Sequence, residues 1–138
     1  MCADYPSMTT AEIRSKFLNF FEERGLKLYP SSSLVPDDPS LLLANAGMNQ
    51  FKEYYQGKKT MKEIGAISCQ KCVRTNDIDC IGEDGRHLSF FEMLGDFSFG
   101  GVSKQQACAW AFELITKEFK LPLDRLYFTV FTEDDETH

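Results

Sequence analysis

No apolar run in this sequence approaches the ~20 residues needed to cross a bilayer, and its start, MCADYPSM, has neither a basic nor an apolar leader region. Both absences point away from a membrane or exported protein and toward the cytoplasm. Histidine is scarce, with only His87 and His138, and the five cysteines are an odd number without a secretory signal. A disulfide scaffold is therefore not expected, and reduced thiols are. Basic residues number 15 against 21 acidic ones, a net charge of -6, so wholesale electrostatic capture of nucleic acid is excluded. The one basic cluster, Lys58, Lys59 and Lys62, has no interleaved aromatics and reads as a solvated turn. Also missing are a G-x-x-x-x-G-K-[ST] loop, a G-x-G-x-x-G turn opening a helix, an H-E-x-x-H pair and a G-x-S-x-G elbow. The common motif-based enzymes are thereby removed, and no internal repeat or low-complexity segment replaces them.

What is present suffices for one folded domain, because 138 residues with 43% hydrophobic and 26% charged side chains can bury a sizeable core. Cys69 and Cys72 have the spacing of a zinc knuckle, with Cys80 further on. A structural zinc site is normally closed by four ligands, and no second knuckle exists, so buried thiols are the favoured reading and no metal site is assigned.

Along the chain, Thr9 and Glu12 have capping-box spacing and Met8 with Ile13 flanks them as a staple, so a helix starts here. Its core stripe is Ile13, Phe17, Phe20 and Phe21 with Leu18 beside it, and Gly25 offers a stop. An extended piece at Lys27 to Tyr29 leads into the turn-rich PSSSLVPDDPS. Leu41 to Ala44 fits a buried strand or a helical turn equally. In NAGMNQF, Asn45 to Phe51, small and amide residues offer hydrogen-bonding surface, and Gly47 permits close approach of backbone to a partner.

Ala66 to Arg74 and His87 to Phe99 read as the two strands of a long-looped antiparallel hairpin. Alternation puts Leu88, Phe90, Glu92 and Leu94 on one face, Ser89, Phe91 and Met93 on the other, and Leu88, Phe90 and Leu94 are expected in the core. Ser103 and Gln106 repeat the capping-box spacing before a helix that presents Ala107, Trp110, Ala111, Leu114 and Ile115 and ends before Leu121 and Pro122. A strand, RLYFTVF, is expected from Arg125. The fold class is α+β, an antiparallel sheet flanked by helices.

The hairpin carries the chemistry that remains. Arg74 ends one strand, and Arg86, His87, Phe91 and Glu92 lie on the return. A guanidinium there can make paired charge-assisted bonds to a phosphate or carboxylate, and Phe91 offers a flat face for a base. On these residues alone, the favoured arrangement pairs Arg74 with Asp77 or Glu92 on the surface and uses the aromatics as core.

The segments SSSLVPDDPSLLLANAGMNQFK, QKCVR and RHLSFFEMLGDFSFG, in this order and separation, resemble the N-terminal part of the alanyl-tRNA synthetases, a family of class II aminoacyl-tRNA synthetases. The resemblance runs from Thr9 to the end. It implies a class II catalytic core, of which residues 1–138 are the N-terminal portion of the aminoacylation domain, activating alanine with ATP and transferring it to tRNA(Ala). It also implies roles for single residues: Arg74 bridging the ATP α-phosphate and the amino-acid carboxylate, Phe91 stacking on adenine, the main chain of Met93 reading the adenine edge, and Arg86 with His87 at the distal phosphates. Magnesium is implied with ATP, without ligands identified in this chain.

The sequence departs from the family pattern at TNDIDCIG, where a positive charge carried by many members is missing, and at EDDETH, where the family continues. The expected consequences are that the third class-defining motif and the tRNA-binding and editing modules are absent, and that the chain alone holds part of the ATP site and is weak or inactive. Two alternatives stand beside this: a non-catalytic paralogue that binds a nucleotide or partner, and a domain that dimerises through an exposed sheet edge. The sequence leaves the oligomeric state unassigned, and EDDETH reads as a frayed end.

Overall fold

In the computed structural model, which describes residues 7–76 and 78–134, the first helix begins at the expected box. The Thr9 hydroxyl accepts from the Glu12 N–H at 3.3 Å, and the Glu12 carboxylate accepts from the Thr9 N–H at 2.7 Å. Helix α1 spans Thr10–Glu22 and buries Phe17, Phe20 and Phe21. Gly25, at φ +87, turns the chain into strand β1, Lys27–Leu28.

Strands β2, Gly65–Val73, and β3, Phe90–Ser98, form the expected antiparallel pair, with Cys72 opposite Phe91 and Gln70 opposite Met93. The sheet order is β1-β2-β3. β1 runs parallel to β2, Lys27 opposite Ala66, so the sheet is mixed where an all-antiparallel one was expected. The cause is the 36-residue excursion between Leu28 and Gly65, long enough to return the chain in the same direction. The α+β class holds.

One face of the sheet carries Ile67 and Leu94 into a core with Phe17, Phe20, Phe21, Leu26 and Leu114. Phe21 is the hub, its ring 5.0 Å from Phe17, 5.1 Å from Phe20 and 6.4 Å from Trp110. Helix α3, Lys104–Glu113, supplies Trp110, and a π-helical turn, Leu114–Glu118, supplies Leu114. Ala107 and Ala111, expected on the core face, are exposed, so the buried seam of this helix is narrower than its sequence stripe.

Leu88 and Phe90 were expected in the core and are exposed, at 63% and 52%. The helical cover is centred on Ile67 and Leu94, and these two side chains lie beyond it toward the loop. β3 accordingly starts at Phe90 and not His87. The expected strand RLYFTVF does not form: Leu123–Arg125 is a short 3-10 turn, and the following residues pair with no strand among those described. Leu41 to Ala44 is neither strand nor helix, but a bent segment with Ala44 fully buried. Cys2, Asp77 and most of EDDETH, including His138, lie outside the described residues. No helix among the described residues is long and apolar enough to cross a membrane.

Candidate active-site face

The face of the sheet opposite the helices carries Ser68, Gln70, Cys72 and, at the strand end, Arg74, with Phe91, Met93, Gly95 and Phe97 beside them on β3. Residues of the excursion between β1 and β2 cover it. Gly47–Phe51 is a 3-10 turn that continues into the short helix α2, Lys52–Tyr55. Phe51, read from sequence as part of a polar surface, is buried, with its ring 4.8 Å from Phe97 and 5.4 Å from Tyr29.

Gln70 ties this cover to the sheet. Its carbonyl oxygen accepts from the Ser32 N–H at 2.9 Å, the Ser32 hydroxyl at 3.0 Å and the Gln50 amide at 3.0 Å. Its own amide donates to the carbonyls of Ser32 and Lys71. A buried primary amide left unpaired is costly, and this one is fully used.

Arg74 stands where the cover meets the strand end. Its Nε donates to the Asn45 carbonyl at 3.1 Å, and its guanidinium carbon lies 5.2 Å from the centre of the Phe91 ring, within cation–π range. A recess of about 130 Å³ opens beside it, lined by Ser40, Leu41, Asn45 and Thr75 among others. A larger recess of about 550 Å³ lies between residues 32–39 and α2 and does not include Arg74. Four of its six charged side chains form ion pairs, Lys52 with Asp38 and Lys59 with Glu53, and the smaller recess, which holds Arg74, is taken as the candidate for chemistry.

Glu92 lies on the helix side of the sheet, where Arg14 pairs with it at 2.6 Å and holds its carboxyl below the ordinary range. The alternative pairing of Arg74 with Glu92 is thus not formed, and Asp77 lies outside the described residues. Cys69 and Cys72 stand on opposite faces of β2, and no group of three metal-ligating side chains occurs among the described residues. Burial pushes both thiols upward.

Phe91 and Met93 share the Arg74 face, but the expected main-chain role of Met93 does not fit the register. The Lys71 and Val73 N–H groups donate to Ser31 Oγ and the Ala44 carbonyl, away from β3. Alternation then directs the main-chain groups of Gln70 at its partner Met93, whose N–H and C=O are spent in the ladder. What Met93 offers is its side chain: the sulfur accepts from the Gly47 N–H at 3.2 Å.

Arg86 and His87 are exposed in the loop before β3. The Asp84 carboxylate organises them, accepting from the Arg86 N–H at 2.8 Å, the His87 N–H at 3.0 Å and contacting His87 Nδ1 at 2.6 Å. These bonds hold the Asp84 carboxyl down at about 2. The structure therefore groups Arg74, Phe91 and Met93 and keeps Arg86 and His87 on a separate turn. Sequence reasoning missed Gln70 and the Asn45 carbonyl. The amide-rich segment with Gly47 signalled a contact surface but not what it would touch.

Residues 12–138 match the family model described as tRNA synthetases class II (A). The chain is 53% identical over 131 residues to an alanine–tRNA ligase of Synechocystis sp., covering 95% of this chain and 15% of that protein. It is 55% identical over 124 residues to the chloroplastic/mitochondrial alanine–tRNA ligase of Sorghum bicolor, covering 90% of this chain and 13% of the relative. To the alanine–tRNA ligase of Pseudothermotoga lettingae it is 52% identical over 130 residues, 94% of this chain and 15% of the relative. The chain thus spans about one-seventh of the length of these curated relatives. With a model match over nearly its whole length, the chain belongs to the class II (A) tRNA synthetase family, and the relatives it resembles are alanine–tRNA ligases.

Proposed function

We propose that residues 1–138 are the N-terminal portion of the catalytic domain of an alanine–tRNA ligase and form one wall of its ATP and alanyl-adenylate pocket. The observation that carries this is the Arg74 guanidinium, held at its Nε by a main-chain carbonyl and backed by the Phe91 ring at the rim of an open recess. Bound at Nε, Arg74 keeps its two terminal nitrogens to meet a phosphate or carboxylate in fork geometry. Phe91 is the surface for adenine.

In the reaction, an alanine carboxylate oxygen attacks the α-phosphorus of ATP, the bond to the β-phosphate oxygen breaks, and pyrophosphate leaves. Arg74 neutralises charge on the attacking carboxylate and the α-phosphate as it builds up. Magnesium supplies further charge neutralisation on the phosphates when bound, and no ligands for it are assigned among these residues. Arg86 and His87, on their Asp84-organised turn, are the candidates for distal-phosphate contact. The ester to tRNA(Ala) is made by the whole enzyme in the cytoplasm. These residues alone hold one wall, and effective catalysis needs both, so turnover by the isolated chain is weak or absent.

The test is calorimetric titration with a non-hydrolysable alanyl-adenylate analogue. Saturable binding is expected, lost by at least tenfold in Arg74→Ala and in Phe91→Ala, on the scale of one charge-assisted contact or one stacked base. A folded chain that binds nothing, or binds equally in both variants, sinks the proposal.

A further inference from the structure

Arg74 is steadied from outside its own strand. The Asn45 carbonyl that receives its Nε lies between two anchored points of the covering segment. On one side, the Ala44 carbonyl accepts from the Val73 N–H at 2.9 Å. On the other, the buried Gly47 N–H donates to the Met93 sulfur at 3.2 Å. The Asn49 side-chain amide donates to the Asn45 side-chain oxygen at 3.2 Å and closes the turn across Gly47.

Gly47 has no positive φ, so its glycine is not needed for backbone conformation. It is needed for room: a Cβ there would stand 3.1 Å from the Phe97 ring and 3.7 Å from the Gln70 Cβ. A side chain there requires the Phe97 ring or the turn to give by a few tenths of an ångström, and a shift of the turn carries the Asn45 carbonyl with it.

We propose that Gly47 and Met93 are positioning residues for Arg74: the Met93 thioether latches the Gly47 amide, and the turn so held presents the Asn45 carbonyl that aims the guanidinium at a bound phosphate. This rests on the nucleotide-site reading of the same face. It assigns Met93 a role through its sulfur, which its place in the β-ladder leaves free. Small displacements of a positioned charge cost disproportionately in affinity for the group it faces, while a base stacked on Phe91 is indifferent to them.

The experiment compares two probes, the non-hydrolysable alanyl-adenylate analogue and adenosine, on the wild-type chain, Met93→Leu, Met93→Gln and Gly47→Ala, each checked for folding by circular dichroism. Met93→Leu keeps volume and removes the acceptor, and it is expected to weaken the analogue about tenfold while leaving adenosine within about twofold. Met93→Gln, with an acceptor oxygen at similar reach, should recover most of that loss, and Gly47→Ala should behave as Met93→Leu or worse. Unchanged analogue affinity in a folded Met93→Leu overturns the inference, as does an equal loss for adenosine or the absence of rescue by Gln. If Met93→Leu does not fold, the same comparison of the two probes in Gly47→Ala decides. Wild-type protein that binds neither probe overturns the nucleotide-site reading and this inference together.

Discussion

Asp84 illustrates how one exposed carboxylate can organise a loop. Held near 2 by the Arg86 and His87 N–H groups, it carries its charge more readily in the folded loop than in an unfolded chain. A depressed carboxyl contributes order that is complete above its ordinary value of 3.8 and is lost as the pH falls through about 2. The protection factors of the Arg86 and His87 amides, followed by NMR from pH 5 to about 2 and corrected for the intrinsic exchange rate at each pH, should therefore fall only over the lower part of that range. Protection already lost in full by pH 4 would contradict the assignment. Arg74 and Phe91 were legible as candidates chiefly through the family resemblance of QKCVR and RHLSFFEMLGDFSFG, because their residue types alone also suit a surface ion pair and core packing. The Arg74 anchor was not, since a main-chain carbonyl has no signature of its own in a sequence.

At the scale of elements, the two helix starts and the hairpin were readable because each has a local cause, a hydroxyl cap or an alternation. The parallel course of β1 was not, because two residues carry no pattern, and the missing strand at RLYFTVF shows that propensity without a partner backbone makes no ladder. Leu88 and Phe90 failed for a related reason: alternation assigns a face, while burial depends on what covers it. Gln70 is where the cover and the sheet depend on each other most directly. Gln70→Leu would leave the Ser32 N–H, the Ser32 hydroxyl and the Gln50 amide without their shared acceptor. A loss of about 2 kcal/mol or more in unfolding free energy is expected from urea denaturation. A change under about 0.5 kcal/mol would mean water takes over all three bonds.

For the whole molecule, a buried hydrophobic cluster lies on the helix side, where Phe21 joins α1 to α3 through Phe17, Phe20 and Trp110. The nearby ion pairs, Arg24 with Glu113 and Lys16 with Glu118, are partly exposed and contribute only tenths of a kcal/mol each. Phe21→Ala is expected to cost about 3–5 kcal/mol, a large part of what a domain of this size has. Thermal melting by circular dichroism should show it unfolded or nearly so at 37 °C, whereas a melting point within a few degrees of wild type would place the core elsewhere. The parallel pairing of β1 with β2 has a further consequence for motion. Among the described residues, what covers the Arg74 face belongs to a single excursion between those strands, fastened by Gln70, by Ser31 and Ala44 on the β2 backbone, by the buried Phe51 ring against Phe97, and by the Gly47–Met93 latch. No β2–β3 rung has to break for that excursion to lift. It can open as a cooperative unit below the cost of global unfolding, so the cation and its ring meet solvent on one clock while the phenylalanine core keeps another.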